Sequence, residues 1–194
     1  MSNLIEVKTD ELVALLKQEY GLKLAPERQP VFSEEATKLY ERLKRIGQNG
    51  TREDKIEWNL YKSKLGFINL DLADLSGLDL SWVDLSGINF AGANFAGSNM
   101  EWVNLSGVKC MLADFRRTNL HLANLSGALA INSFFRESDL SGARCKGGVF
   151  MYADFTGSNL EQADFSFGVF YRTIFDGSIT DYTKFEGAIG YTQS

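Results

Sequence analysis

The sequence predicts a mainly β protein, a square coil of stacked five-residue units preceded by a small α-helical region. Three observations lead to this prediction. Every fifth residue from Leu70 to Phe185 is a candidate core position, and twenty of these twenty-four are Leu, Phe or Met. The residue before the centre is Asn or Asp at fifteen of these positions. The region over residues 1–66 has no such period and shows helical spacing instead.

A period of five matches neither the 3.6-residue period of a helix nor the two-residue period of a strand. We expect each unit to form one short side and one turn, so that four units close a coil. The centre residue and the small residue two positions before it then point inward, while Asn, Asp, Ser and Gly suit the turns. Residues that are four units apart should stack at about 4.8 Å. One interior column is expected to contain Leu75, Phe95, Phe115, Phe135, Phe155 and Phe175.

The units ADLSG, VDLSG, ANFAG, VNLSG, ANLSG and ADFTG resemble the pentapeptide-repeat family, whose motif is A(D/N)LXX. The resemblance covers roughly residues 67–190. It implies that residues 67–194 form a right-handed quadrilateral β-helix, a solenoid of about six coils. Some members of this family look like duplex DNA and bind DNA gyrase, which protects against quinolones or inhibits the enzyme.

Residues 1–66 are expected to form a separate N-terminal region of three helices. The helices are predicted over residues 9–20, 33–47 and 51–65, each beginning at a Ser or Thr N-cap. The third helix is apolar on more than one side, so it should contact two surfaces. The end of a β-helix exposes backbone groups and core side chains. We expect the third helix to cover that end, while the roles of the first two helices stay open.

Composition argues against several classes of function. The formal net charge is −5, whereas a general nucleic-acid binder needs a cationic surface. His121 is the single histidine, which excludes a multi-histidine metal site, and no glycine-rich phosphate loop is present. We therefore expect no enzymatic activity, no metal and no cofactor. Because no apolar run is long enough to span a membrane and no secretory signal pattern is present, we expect a cytoplasmic protein.

The two cysteines, Cys110 and Cys145, occupy centre positions and should point into the coil. They are separated by seven units, which corresponds to about 8 Å along the coil axis. A disulfide requires Cα atoms closer than about 7 Å. We therefore expect both thiols to be buried and reduced.

One side of the coil becomes apolar along its length, and outward-facing residues should carry the function. The Asn or Asp before the centre is replaced on this side by Leu129, Val149, Val169 and Ile189. We define the apolar strip as the candidate partner-binding residues Met111, Leu112, Leu129, Ile131, Val149, Met151, Tyr152, Val169, Tyr171, Ile189 and Tyr191. A thinner second stripe around His121 contains Trp82, Trp102, Leu122 and Tyr182, and we include Trp82 and Trp102 among the candidate partner-binding residues. Exposed apolar strips of this length are typical of contact surfaces. The N-terminal helices, a second copy of the chain or another protein could cover the strip.

These features favour a non-catalytic protein-interaction module, a rigid rod that presents an apolar face to a protein partner or to its own dimer mate. The alternative is a DNA-mimic modulator of DNA gyrase or topoisomerase. The charge does not favour mimicry, because duplex DNA as long as the rod, about 29 Å, carries about 17 negative charges. Residues 67–194 have 8 basic and 14 acidic residues. A cluster of basic residues near Glu137 and Asp139 is expected to form a solvated mixed-charge patch, the alternative being an anionic-ligand site: Arg116, Arg117, Arg136, Arg144 and Lys146.

Overall fold

The computed structural model describes residues 30–191, and the helix predicted over residues 9–20 lies outside them. The described part begins with two helices, α1 (Glu34–Asn49) and α2 (Arg52–Lys62). The Ser33 side chain caps α1 by accepting a hydrogen bond from a backbone N–H of its first turn. Thr51 is the N-cap of α2, as predicted, and it forms a capping box with Asp54. The helix predicted from sequence to end near Leu65 ends at Lys62 instead.

Gly47 does not end α1, although a helix stop was predicted there. The helix continues to Asn49, and Gly47 is buried within it. A Cβ at Gly47 would lie 2.7 Å from the Leu78 Cβ, which is closer than real contacts allow. The absent side chain therefore lets α1 approach the first coil of the solenoid, and this packing determines the residue at position 47.

The rest of the described chain is a β-helix solenoid. Its sides are isolated parallel β-bridges, each joining the residue before a centre to its equivalent four units later, from Asn69↔Asn89 to Val169↔Ile189. This constant step confirms that residues four units apart stack. Every residue that lies two positions after a centre, from Leu72 to Gly187, has φ between +55° and +68°. Eleven of them are glycine, which adopts this conformation without steric cost.

The centre residues fill the interior. Phe95, Phe115, Phe135 and Phe155 are fully buried, and their rings stack in sequence with centroid separations of 4.9, 4.9 and 4.7 Å. The predicted Phe column is therefore confirmed. Cys110 and Cys145 are also buried and free, as predicted. Burial raises the pKa of Cys110 to about 12 and raises the pKa of Cys145 well above its ordinary value, the latter with a contribution from the Asp164 charge.

Asn and Asp before the centres stabilise both the turns and the stacking of coils. The Asp74 carboxylate accepts hydrogen bonds from the Ser76 backbone N–H at 3.2 Å and from the Asn94 side chain, one coil later, at 3.1 Å. The same link between coils recurs from Asn99 to Asp79 and from Asn119 to Asn99. A Leu or Val at this position can make neither bond, so the apolar strip lacks this polar ladder.

Helix α1 extends the solenoid core. Its buried residues Ala36, Leu39, Leu43 and Ile46 belong to the same apolar cluster as the centres of the first coil. The helix also contacts the backbone of that coil: the Gly47 carbonyl accepts a hydrogen bond from the Asp79 N–H at 2.9 Å. The Tyr40 hydroxyl donates to the Asp74 carbonyl at 3.0 Å.

Helix α2 contacts the next side of the first coil through buried and polar side chains. Trp58 is fully buried, and its Nε1 donates to the Asp84 carbonyl at 2.8 Å. The Asn59 side chain accepts from the Asp84 N–H at 2.7 Å, while the Lys55 ammonium pairs with Asp79 at 2.9 Å. The third predicted helix, α2, was expected to cover the open end, and both α2 and α1 contact the first coil there.

Candidate protein-interaction surface

The inner row of the apolar strip is buried, although the whole strip was predicted to be exposed. Met111 is 3 % exposed, and Ile131 and Met151 are each 8 % exposed. Together with Ala91 they form an apolar cluster that is separate from the solenoid core. Each residue stacks on its counterpart in the adjacent coil, so the row buries its own side chains. The prediction that these side chains point away from the core is confirmed, but the predicted exposure is wrong for these three.

The flanks of the strip are partly buried against this outer cluster. Leu129, Val149, Tyr152 and Val169 pack against it. Leu112 lies beside them in a turn, with φ +61°, and is also partly buried. The Tyr152 hydroxyl oxygen is buried and has no hydrogen-bond partner among the described residues. Within the strip, only Tyr171 and Ile189, at the C-terminal end, are well exposed, at 38 % and 50 %.

Tyr191 does not belong to the strip, which corrects its assignment as a candidate partner-binding residue on that face. Its ring stacks on Phe185 with a centroid separation of 3.7 Å and meets the Phe175 ring edge-on at 5.6 Å. It therefore lies over the last core residues at the end of the solenoid. Burial there raises the pKa of the Tyr191 hydroxyl. The glycine at position 190 marks where the five-residue register ends, and it was the available signal for this change of direction.

The second stripe is the more exposed of the two predicted surfaces. Trp82 and Trp102 are 58 % and 41 % exposed, and their rings stack at 5.0 Å with an interplanar angle of 12°. Both occupy the left-handed turn position, with φ +66° and +58°. A bulky residue is uncommon there and costs about 1–2 kcal/mol relative to glycine. The solenoid therefore holds two large aromatic side chains in solvent at strained turn positions.

Helix α2 provides the other side of this surface. Ile56 is 49 % exposed, and it lines a groove of about 590 Å³ together with Asn59 and Trp82. Lys55 at the groove floor donates to Asp79 and Ser81. Burial alone would raise the pKa of Asp79, but hydrogen bonds from Ser81 and Lys55 outweigh it and lower that pKa. We call Ile56, Trp82 and Trp102 the tryptophan patch.

Comparison with known proteins identifies the repeat. A family model described as pentapeptide repeats, in eight copies, matches residues 59–90, 73–109, 84–121, 118–151 and 153–189. The chain belongs to the pentapeptide-repeat family. Among the curated proteins, none matches the chain. Within residues 30–191, no helix is both long enough and apolar enough to cross a membrane.

Several solved structures of pentapeptide-repeat proteins are similar in part. One from the Arabidopsis thaliana thylakoid lumen is 27% identical over 59% of this chain and 62% of its own, with a TM-score of 0.29. QnrB1, a plasmid-mediated fluoroquinolone resistance protein, is 19% identical over 64% of this chain and 82% of its own, with a TM-score of 0.34. Rfr23 from the cyanobacterium Cyanothece 51142 is 17% identical over 69% of this chain and 94% of its own, with a TM-score of 0.25.

Three arginines in the middle of this pentapeptide-repeat solenoid are paired with acidic side chains. Arg117 pairs with Glu137 at 2.7 Å, and Arg136 with Asp154 at 3.2 Å. Arg116 pairs with Asp114, on the same side of the same coil. The hydrogen bond from Arg117 is the main cause of the lowered pKa of Glu137. These three ion pairs account for three of the five basic residues of the mixed-charge patch predicted from sequence.

One polar contact was not foreseen from the sequence. His121 Nδ1 lies 2.8 Å from the Ser141 hydroxyl, a pair that stacking brings together because the two residues occupy equivalent positions in adjacent coils. Among the described residues, no cluster of three His, Cys, Asp or Glu side chains could hold a metal ion. The contact between His121 and Ser141 links two adjacent coils.

Proposed function

We propose that the protein is a non-catalytic interaction module that binds a protein partner through the tryptophan patch. The observation that carries this proposal is the stacked, solvent-exposed pair of Trp82 and Trp102 at turn positions where glycine would be less strained. Tryptophan is enriched at interface positions that contribute most to binding.

The rigidity of the scaffold supports this function. Adjacent coils are joined by backbone hydrogen bonds at the patch, such as Trp82 N–H to the Glu101 carbonyl at 3.0 Å and Trp102 N–H to the His121 carbonyl at 3.0 Å. Because these bonds fix the two turns and the rings stack on each other, the rings lose little conformational freedom on binding, and the entropic cost of association falls. In the proposed arrangement, residues 67–194 form a right-handed solenoid of about six coils and residues 1–66 a helical region.

The apolar strip has less support as the binding surface, because its inner row is already buried against itself. Its exposed end, Tyr171 and Ile189, offers a smaller contact surface. The gyrase-mimic hypothesis also has less support, because residues 67–194 contain 8 basic and 14 acidic residues. Three of the basic residues cluster as paired arginines on one part of the rod.

Substitution by glycine tests the tryptophan patch without disturbing the turns. A Trp82→Gly, Trp102→Gly double variant removes both rings at positions whose φ favours glycine, so stability should be unchanged or slightly raised. Tyr182→Gly is the matched control, since Tyr182 has φ +59° and is 82 % exposed at the same turn position several coils away.

The measurement is affinity capture from cells that produce the protein, followed by titration of each captured protein in purified form. We expect the wild type and Tyr182→Gly to bind a common partner and the double variant to bind it at least about 100-fold more weakly, since two interface tryptophans are removed. Equal binding by all three proteins would rule out the tryptophan patch. Inhibition of purified gyrase at sub-stoichiometric amounts would favour the mimic hypothesis instead.

A further inference from the structure

A second surface lies where the chain enters the described structure, on a different side of the coil from the tryptophan patch. We call it the entry groove: a cleft of about 420 Å³ between the first half of α1 and the segment that leads into the solenoid. Ala36, Leu39 and Ile68 form its buried floor, and Val31 and Phe67 stand at its edges.

The edges of the entry groove leave apolar surface in solvent. Val31 is 85 % exposed and Phe67 is 72 % exposed. The Phe67 ring contacts the Lys109 ammonium at 5.7 Å from its centroid, so the ring lies over the side of the solenoid that leads toward the apolar strip. Ser33, Glu35 and Asn69 are the polar side chains that line the cleft. The groove therefore has an apolar floor and apolar edges that an apolar side chain can contact, with polar side chains between them.

The position of the groove in the chain restricts what can occupy it. Residues 1–29 precede Pro30, and Val31 is itself an edge of the groove. The connection over residues 21–30 can span up to about 33 Å when extended, and a helix over residues 9–20 would be about 18 Å long. The preceding segment can therefore reach every part of the groove from its point of attachment.

The chemistry of that segment matches the groove. Leu12, Leu15 and Leu16 have the i, i+3, i+4 spacing that places apolar side chains on one face of a helix. Attachment gives such a segment an effective concentration on the order of millimolar, so it outcompetes a separate protein of similar affinity. We infer that the entry groove binds residues 9–20 of the same chain, with the leucine face against Val31 and Phe67.

Thiol labelling of the full-length chain tests this inference. Both native cysteines are buried, so a Glu35→Cys variant provides a single accessible thiol at the rim of the groove. We expect Leu12→Asp with Leu16→Asp to speed labelling of that thiol at least about tenfold, because it uncovers the groove. The matched control is Ala14→Asp with Gln18→Asp, which adds the same charge on the opposite helix face and should leave labelling slow.

Equal labelling rates for the two double variants would overturn the inference. Labelling that becomes slower as the protein concentration rises would also overturn it, because a second copy of the chain would then cover the groove. A photo-crosslinking amino acid in place of Phe67 identifies the occupant without any change in the segment. A cross-link to residues 9–20 at the mass of one chain supports the inference. A cross-linked dimer, a cross-link elsewhere or no cross-link contradicts it. Far-UV circular dichroism checks that every variant keeps the solenoid.

Discussion

Each end of the solenoid has an open coil edge, where backbone groups and core side chains lack a neighbouring coil. The two ends differ in how much structure covers that edge. Inside the rod, the N–H of each residue before a centre donates to the preceding coil, as Asn94 does to the Ala73 carbonyl. The first coil has no predecessor, yet the Gly47 carbonyl and the Asn59 side chain accept from Asp79 and Asp84 in its place. Helices α1 and α2 therefore replace a missing coil both in hydrogen bonding and in core packing.

Within residues 30–191, the C-terminal end of the solenoid has less cover than the helical end. The N–H groups of Phe175, Thr180 and Phe185 have no hydrogen-bond acceptor within residues 30–191. Tyr191 covers the Phe185 ring, but Thr180, at a centre position, is exposed. An open sheet edge is also where local unfolding begins. Coils that share the same repeat can therefore differ in stability. The stability of a terminal coil depends on the contacts that its open edge makes.

The largest effect is expected at the helical end. Trp58→Ala removes a fully buried indole, which should lower the free energy of unfolding by about 3–5 kcal/mol, with about 1 kcal/mol more from the unpaired Asp84 carbonyl. Urea unfolding measures this. Leu60→Ala on the same helix is the control, because Leu60 is 64 % exposed, and its effect should stay below about 0.5 kcal/mol. Similar losses for both would contradict the capping role of Trp58.

A pair of Phe truncations compares the middle of the rod with its open end. Phe115→Ala should cost about 3–5 kcal/mol, since the ring is buried between two stacked neighbours. Phe185→Ala should cost about 1–2 kcal/mol, because the residue is only partly buried in the last coil. Ser126→Ala, at an outward turn position, removes only the hydrogen bond from the Ser126 hydroxyl to the Asn124 side chain and should cost at most about 1 kcal/mol in the same urea titration. Equal costs for the two Phe variants would mean that the last coil is as well covered as the middle.

Much of this architecture could be predicted from the sequence, because a period of five with a core residue at each centre has few physical solutions. The stacked Phe column and the buried thiols at positions 110 and 145 follow directly from that register. The polar ladder also follows, since Asn94 and Asp74 occupy equivalent positions in adjacent coils.

The period could not predict exposure. It gives the direction of a side chain relative to the core, so it placed Met111 and Met151 outside the core correctly. Whether an outward residue is exposed depends on its neighbours in the adjacent coils, and here those neighbours are large enough to bury one another. The period also gives no information about residues beyond its end, which is why Tyr191 was assigned to the wrong surface.

Removing the C-terminal cover should have a smaller and more local effect. Tyr191→Ala removes the stack on Phe185 and should cost about 1–2 kcal/mol. Amide hydrogen exchange should accelerate in residues 171–189 and stay unchanged near α1. Tyr182→Ala, in the same coil but 82 % exposed, is the control and should leave exchange as it is. Faster exchange throughout the rod would show that the end does not open independently.

The smallest expected effect is the difference between the two ends in the free energy of opening. The two native thiols allow this difference to be measured in one molecule. Cys110 lies two coils after the first centre, Leu70, and Cys145 lies two coils before the last centre, Phe185. Both thiols are buried, and the pKa of Cys110 is raised to about 12 by burial. Near neutral pH the closed protein therefore holds both as unreactive thiols, and neither should be labelled quickly.

Labelling then requires opening of the coil, and its rate follows the free energy of opening when reclosing is fast. Because α1 and α2 stabilise the N-terminal end, Cys145 should react faster than Cys110. A tenfold ratio of the two rates corresponds to a free energy of opening that is about 1.4 kcal/mol lower at Cys145. Tyr191→Ala should widen the ratio by accelerating Cys145 alone, and Trp58→Ala should narrow or invert it by accelerating Cys110. Equal rates in the wild type, or faster reaction of Cys110, would mean that the two helices do not stabilise their end more than Tyr191 stabilises the other.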